Sequence, residues 1–387
     1  MKRSTERILT THVGRLQRPE ELTEAMEAHP RGRPTDAAFA ARLKEAVADV
    51  VRQQAEAGID IVCDGEFGKL SWHSYLMGRL AGHETVPAKP GETAQQSRDR
   101  TEFASFYREL ESGGSYYYRN PGRDVPRGMR WACTGPVSYV GDEALQQDLA
   151  HLRAAVAAAK VEEAFLPATS PVRRRVNDYY PDDDSYFEAV ADAMNKEYRG
   201  IVDAGFVVQI DDPQLPGMWD SGLTEMNVSD YRKRAGRLVE VVNHALRGVP
   251  EDRVRYHICW GSWHGAHAYD LPLQHVVDIL LRVKAQAYAI EAANARHEHE
   301  WQLWKDMKLP DGKILIPGVV SHATNLIEHP ELVAWRIRNF AKVVGRENVL
   351  AGTDCGMGYR VHAQIGWAKL KTLADGARIA SKELWSQ

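Results

Sequence analysis

The feature that most constrains this chain is a repeated local unit: an amphipathic helical stretch, a glycine, then a short β-branched run that ends on polar residues. In "DAAFAARLKEAVADVVRQQAEAGIDIVCDGE" Phe39, Leu43, Val47 and Val50 recur at helical spacing, Gly58 closes the helix, and "IDIVC" reads as a strand ending on Asp64, Gly65 and Glu66. The unit returns in "YFEAVADAMNKEYRGIVDAGFVVQIDD", in "LPLQHVVDILLRVKAQAYAIEAAN" and in "HPELVAWRIRNFAKVVGRENVLAGTDCG". Adding "ILTTHVG", "RWACTGPV", "EEAFLPA", "VRYHIC" and "ILIPGVV" makes nine strand-like segments, most of them separated by helical patterns.

Strands that alternate with helices demand a parallel sheet. Eight of them, with one polar end after another, predict an α/β fold of the (β/α)8 TIM-barrel type, so one of the nine segments must lie outside the barrel. The 387 residues suit a single catalytic barrel spanning residues 1–387. Residues 79–128, beginning "RLAGHETVPAKPG" and rich in Gly, Pro, Arg and aromatics, fit no such unit. They read as a long excursion over the barrel mouth between the second and third strands.

Composition narrows the function classes. A formal net charge of −4, with 44% apolar and 26% charged residues, offers no electrostatic case for binding nucleic acid or an anionic membrane. The runs "VVDILL" and "ILIPGVV" fall far short of the ~18 apolar residues that span a bilayer. The start, "MKRSTERILTTHVG", lacks the apolar core of a secretion signal, so a cytoplasmic location is expected. Four cysteines, Cys63, Cys133, Cys259 and Cys355, are too sparse for a disulfide scaffold. Each is then a core residue, a metal ligand or a nucleophile; Cys63 and Cys133 lie within strand patterns and read as core.

Barrels of this type carry their chemistry at the C-terminal strand ends. Here those ends deliver His12, Glu66, Asp211, His257 with Cys259, Glu291, His322 and Cys355. His257 and Cys259 stand two apart on one strand and so share a face. An isolated H-x-C pair reads more readily as a core histidine beside an inert thiol than as a metal site. What strengthens it is position: Cys259, Glu291 and Cys355 are separated by about one and about two βα units, which a barrel would bring together. Two Cys, one His and one Glu fill a tetrahedral zinc shell, and thiolate and imidazole favour zinc over magnesium or calcium.

At this point the residues carry a resemblance. "YHICWG", "AYAIEAAN" and "AGTDCGMG" resemble the zinc-binding segments of the cobalamin-independent methionine synthase family, in which one His, two Cys and one Glu hold zinc. "TTHVGRLQRP", "DGEFG", "VVQIDDP" and "PGVVSHAT" resemble further family segments, so the likeness runs from about residue 9 to 360 and covers the family's catalytic C-terminal barrel. It implies zinc on His257, Cys259, Glu291 and Cys355, with Glu291 giving way when a substrate sulfur arrives. Glu66 and Asp211 would hold the amino group of homocysteine. Their plain alternative is a pair of carboxylates capping neighbouring helices.

Zinc deprotonates a bound thiol, and a site with two anionic cysteines suits a thiolate that attacks carbon better than a water that must be acidified. Such an attack leaves a group that needs a proton, which makes His322 the candidate general acid, with Asp211 or Asp212 in support. The expected activity is therefore zinc-dependent S-alkyl transfer. In its simplest form a methyl group moves from 5-methyltetrahydrofolate to homocysteine or a related thiol, within methionine biosynthesis. The partners are a small thiol and an alkyl donor, a folate being the simplest, and homo-oligomerisation is left open.

One position departs from the resemblance. Arg15 stands where the methionine synthases carry a Ser for the amino-acid end of homocysteine, and a guanidinium suits a carboxylate, phosphate or sulfonate. It is compatible with the family's other zinc chemistry, addition of coenzyme M to an epoxide, which is the alternative activity. A zinc-storing barrel without chemistry and a zinc hydrolase are weaker rivals. Trp72, His73 and Tyr75, Tyr116 to Tyr118, Trp260 and Trp263 are candidates to stack on a planar donor, or else ordinary packing. Among the flanking histidines, His264 and His297 are candidates for a supporting role, and His299 reads as a solvated helix residue.

Overall fold

The computed structural model describes residues 1–29, 33–89, 97–110, 112, 129–172, 176–220 and 226–386; the side chains of Trp72 and His73 also lie outside the description. Its strands in chain order are β1 (Leu9–Thr10), β2 (Ile61–Val62), β3 (Leu80–Pro87), β4 (Met129–Tyr139), β5 (Glu163–Thr169), β6 (Val207–Asp211), β7 (Val254–His257), β8 (Ala287–Ile290), β9 (Ile314–Val320) and β10 (Leu350–Thr353). Eight of them form one sheet in the order β1-β10-β9-β8-β7-β6-β5-β2, every pairing parallel. A parallel bridge from Thr11 to Ile61 closes the ring. This is the expected (β/α)8 barrel.

The repeated unit builds it as the sequence pattern requires. Helices Ala37–Glu56, Asp183–Asp203, Val228–Ala245 and Pro330–Val344 each precede a barrel strand. In the first of these, Phe39, Leu43, Val47 and Val50 are the buried positions, and the Asp36 side chain caps the N-terminus through the Phe39 amide. Strands covered on both faces become continuous apolar runs, and all seven residues of β9 are buried. Leu9, Ile61, Phe165, Val207, Ile314 and Leu350 form a second core cluster, distinct from the larger one that contains the helix side chains. Above it the buried Arg255 lies over the Phe165 ring at 4.0 Å and donates to Thr11 Oγ1 and His12 O, both at 3.0 Å.

The segment outside the barrel is "RWACTGPV". It forms part of β4, which pairs antiparallel with β3, so the third barrel strand is "EEAFLPA". Strand β3 falls inside the stretch read as irregular. Its residues are mostly half-exposed, interrupted by Gly82 and ended by Pro87, so no apolar alternation announces it. Of the expected excursion, residues 90–96, 111 and 113–128, Tyr116 to Tyr118 among them, lie outside the described residues. Its helical part reaches the loop after β7: Asp99 accepts from the His267 and Ala268 amides at 3.1 and 2.9 Å and from the Tyr107 hydroxyl at 2.6 Å. Cys63 and Cys133 are buried, as core residues should be. Among the described residues no helix is long and apolar enough to cross a membrane.

A buried ionic network anchors the start of the excursion. Arg79 donates to Glu197 at 3.1 Å and to Asp148 at 2.7 Å, while Tyr75 and Tyr139 donate to Glu197. Arg79 ends helix Trp72–Arg79, and its two acidic partners stand on helices Asp142–Ala157 and Asp183–Asp203. Removing one member of such a network strands the others without water. Arg79→Ala is expected to destabilise the protein by about 3–5 kcal/mol, read as a lowered urea midpoint, whereas Arg52→Ala on the exposed face of helix Ala37–Glu56 should leave the midpoint nearly unchanged.

Candidate metal centre

The register of β6 on β7 pairs Asp211 with His257. Both side chains are buried, and His257 Nδ1 lies 2.7 Å from Asp211 Oδ1. With the proton on Nδ1, the lone pair of Nε2 is left facing inward. That atom is buried and has no hydrogen-bond partner. His257 belongs to a group in which one ligand atom each from His257, Cys259 and Cys355 lies within 4.8 Å of the others. A buried, unpartnered imidazole nitrogen beside two sulfurs is a donor set suited to zinc, and the carboxylate behind the imidazole is the support such ligands use.

The two sulfurs share a proton. A hydrogen bond from Cys259 lowers the Cys355 thiol to about 6 against the opposing effect of burial, and His257 adds to the lowering. The same bond, with burial, drives Cys259 far up. Burial pulls the His257 imidazole down, but the bond to Asp211 and its charge outweigh that and leave it raised. Neighbouring acids are also pushed up, Glu291 by burial and by Asp354, and Asp354 by burial. Four acidic groups crowded out of water are the electrostatic complement of a cation.

Glu291 stands apart from the soft trio. Its ligand atom groups instead with those of His322 and Asp354, again within 4.8 Å of one another. One carboxylate oxygen accepts the Trp260 amide at 3.0 Å and the other the Asn294 side chain at 2.7 Å. Asp354 fixes this loop, accepting the Ala292 and Ala293 amides at 2.7 and 2.8 Å and Asn294 at 3.1 Å. His322 is buried, its Nδ1 has no partner, and burial with the nearby Arg360 holds it well below the usual imidazole range.

The remaining expected residues fall on both sides of the site. Glu66 adopts a left-handed backbone (φ 59°), and Oε1 occupies the space beside Gly14, 2.7 Å from where a Cβ would stand. Gly14 itself has φ 139°, so neither the conformation nor the contact admits a side chain. Burial raises Glu66 to about 7, with Lys69 opposing and Asp211 adding to the rise. Arg15 lies against Gly356, next to Cys355.

The expectation for Tyr75 changes. Tyr75 gives its hydroxyl to Glu197 and lines a cavity of about 270 Å³ with Arg33, Lys69 and Arg79, none of them a candidate ligand. Trp72 opens the same helix, and its side chain lies outside the description. Asp212 is a structural hub, accepting from Ser170, Tyr256 and the Gln214 and Leu215 amides. Trp260 packs on His297 at 3.9 Å with its indole donating to Leu271 O, and Trp263 stacks on His267 while donating to Tyr107. His12 is engaged by Gln54 and the Gly14 amide. His299 is exposed, as read. Sequence reasoning passed over Asp354, Asn294 and Gln209 as site residues. The first two act on backbone loops and on Glu291, which a motif pattern does not display; the third does stand in "VVQIDD", facing the same way as Asp211.

This geometry generates a metal prediction. Elemental analysis should find about one zinc per chain, and both Cys259→Ser and Cys355→Ser should lose it. Asp211→Asn, which removes the charge behind His257, should weaken zinc affinity ~10–100-fold in competition with a chelator.

The family model for the catalytic domain of cobalamin-independent synthase matches residues 168–378. The methionine synthase of Sulfurisphaera tokodaii is 24% identical over 379 residues, covering 97% of this chain and 93% of its own. That of Thermococcus kodakarensis is 23% identical over 381 residues, covering 97% and 94%. Among solved structures, a B12-independent methionine synthase from Shewanella sp. W3-18-1 in complex with selenomethionine superposes with a TM-score of 0.71 at 19% identity, over 98% of this chain and 100% of that one. A putative vitamin-B12 independent methionine synthase from Listeria monocytogenes gives 0.65 at 17%, over 98% and 99%. The match spans more than half of the chain and includes His257, Cys259, Glu291, His322 and Cys355, and this chain belongs to the family of cobalamin-independent synthase catalytic domains.

Proposed function

We propose that this protein is a zinc-dependent methyltransferase that moves a methyl group from a donor such as 5-methyltetrahydrofolate to the thiol of homocysteine. The observation that carries the reading is the grouping of His257, Cys259 and Cys355 within 4.8 Å, with the buried Nε2 of His257 left without a hydrogen-bond partner. The names of the relatives, methionine synthases over nearly their full length, support the choice of acceptor. His257, Cys259 and Cys355 would hold the zinc, with Glu291 as the fourth ligand that gives way to substrate. When bound, zinc supplies Lewis acidity that turns the acceptor thiol into the nucleophilic thiolate at neutral pH.

The chain's own groups do the rest. Asp211 keeps the His257 proton on Nδ1. Trp260 and Asn294 hold the Glu291 carboxylate when it is away from the sulfurs. The proton released by the acceptor thiol equals the one that the donor nitrogen needs as it loses the methyl group. A His322 held neutral by its surroundings is therefore suited to relay that proton rather than to store one. Asp211 Oδ2 is buried and unpartnered, and Glu66 stands over Gly14; together they suit an ammonium group. An amine-bearing thiol is favoured on that ground over the sulfonate thiol of an epoxide-opening enzyme.

Two measurements bear on this. Methyl transfer from 5-methyltetrahydrofolate to homocysteine should vanish in Cys355→Ala, while His322→Gln should lower kcat ~10²–10⁴-fold with little change in the KM for the thiol. Transfer surviving in Cys355→Ala would end the zinc–thiol reading. The second is pH dependence. As pH falls through about 7, Glu66 takes up a proton and loses its hold on an ammonium, so homocysteine affinity should drop below that pH in the wild type. Glu66→Gln should bind more weakly and show no such step.

A further inference from the structure

Away from the metal centre, one buried cation has no counter-charge in contact with it. Lys69 is 3% exposed, and its ammonium carries three N–H donors. One of them goes to Pro167 O, and Nζ lies over the Tyr75 ring at 4.8 Å. Among the described residues the ammonium makes no ion pair and no second hydrogen bond. Taking such a group out of water with its donors unmet is costly. The neighbouring guanidiniums are provided for: Arg33 and Arg79 share Asp148 at 2.8 and 2.7 Å, and Arg79 also reaches Glu197 at 3.1 Å. Asp64 and Glu66 feel the charge of Lys69 only from beyond ion-pair contact.

The remaining donors of Lys69 have a space before them. Lys69 lines the cavity of about 270 Å³ together with Arg33, Tyr75 and Arg79. Asp148 and Glu197 do not line it, so the cations border the space while their carboxylates stand behind them. The acid on the wall is Glu143, which is exposed to solvent. Gly78, on the helix that carries Tyr75 and Arg79, also lines the cavity, and a Cβ there would meet nothing within 4 Å. The volume falls below the ~300–1,000 Å³ of a pocket for a drug-sized molecule and suits a ligand of a few heavy atoms.

We infer that this cavity is a binding site for a small oxyanion, a carboxylate or a phosphate group, which takes the unmet donors of Lys69 while Arg33 and Arg79 supply positive potential around it. The site is separate from the metal centre, and the inference does not rest on the chemistry proposed there. One short turn joins the two places. Lys69 N donates to Glu66 O at 3.0 Å, and Arg18 holds the Phe67 and Lys69 carbonyls at 3.2 and 2.8 Å. The turn that sets Glu66 over Gly14 therefore also sets Lys69 against the cavity.

The test is calorimetric titration of the purified full chain with inorganic phosphate and, separately, with acetate, at an ionic strength fixed with chloride. At least one of the two should bind saturably at one site per chain, with half-saturation at about 1 mM or tighter, within reach of so small a ligand; which one binds names the class of oxyanion. Lys69→Met, which keeps a buried apolar stem and removes the charge, should weaken that binding ~10-fold or more. Gly78→Leu fills the cavity from the helix side with a better helix former, and should weaken binding as much while the urea midpoint stays level or rises. Should Lys69→Met fail to fold, Gly78→Leu decides alone. Cys259→Ser, altered at the metal centre, should bind the anion as the wild type does. Neither anion saturating by about 10 mM overturns the assignment. So does binding that survives intact in a folded Lys69→Met or Gly78→Leu chain, or that disappears in Cys259→Ser, since each would place the anion elsewhere.

Discussion

The hydrogen bond between Asp211 and His257 is the interaction on which the centre depends. It exists because the parallel register of two adjacent strands sets these residues side by side. Occupying Nδ1, it decides that Nε2 is the nitrogen left for a metal, and it does so where water cannot compete. Gln209 on the same strand steadies the carboxylate and ties it to Val13. The imidazole is therefore oriented by barrel strands rather than by loops, which is the more exact way to hold a reactive group.

A second constraint is charge. Burial pushes Cys259, Glu291 and Asp354 to keep their protons, with neighbouring negative charge adding to the rise for the first two, while the bond from Cys259 lowers Cys355 against burial. The fold tolerates this crowding by bonding the carboxylates to backbone amides and to Asn294 and by letting one sulfur donate to the other. The left-handed Glu66 and the crowded Gly14 belong to the same pattern: local strain is concentrated around the centre and carried by a closed barrel with large apolar cores.

Glu291 shows what such an arrangement offers. Its carboxylate is held by two donors beside His322 and Asp354, yet its charge is felt at Cys259. A ligand that has a second resting place can leave a metal without becoming an unpaired buried charge, which would be far costlier. If the proposed zinc is held here, Trp260 and Asn294 would matter as much to the chemistry as its ligands.

Much of this was legible in the chain. The recurrence of helix, glycine and apolar run specifies a parallel barrel, because period and polarity are local properties of sequence and the barrel is the fold that buries all the strands at once. The polar strand ends named His257, Cys259 and Cys355, since the C-terminal ends of barrel strands converge on one rim, although β7 itself stops at His257. Other features were beyond the sequence. That "RWACTGPV" leaves the barrel to pair with "LAGHETVP" depends on a long-range partner, and Tyr75 turned away from the site because Arg79 and Glu197 offered its hydroxyl a buried charge. Residue type was written in the chain; which atom is left free and which carboxylate stands apart were decided by contacts between segments far apart in the chain, where only packing sets the distances.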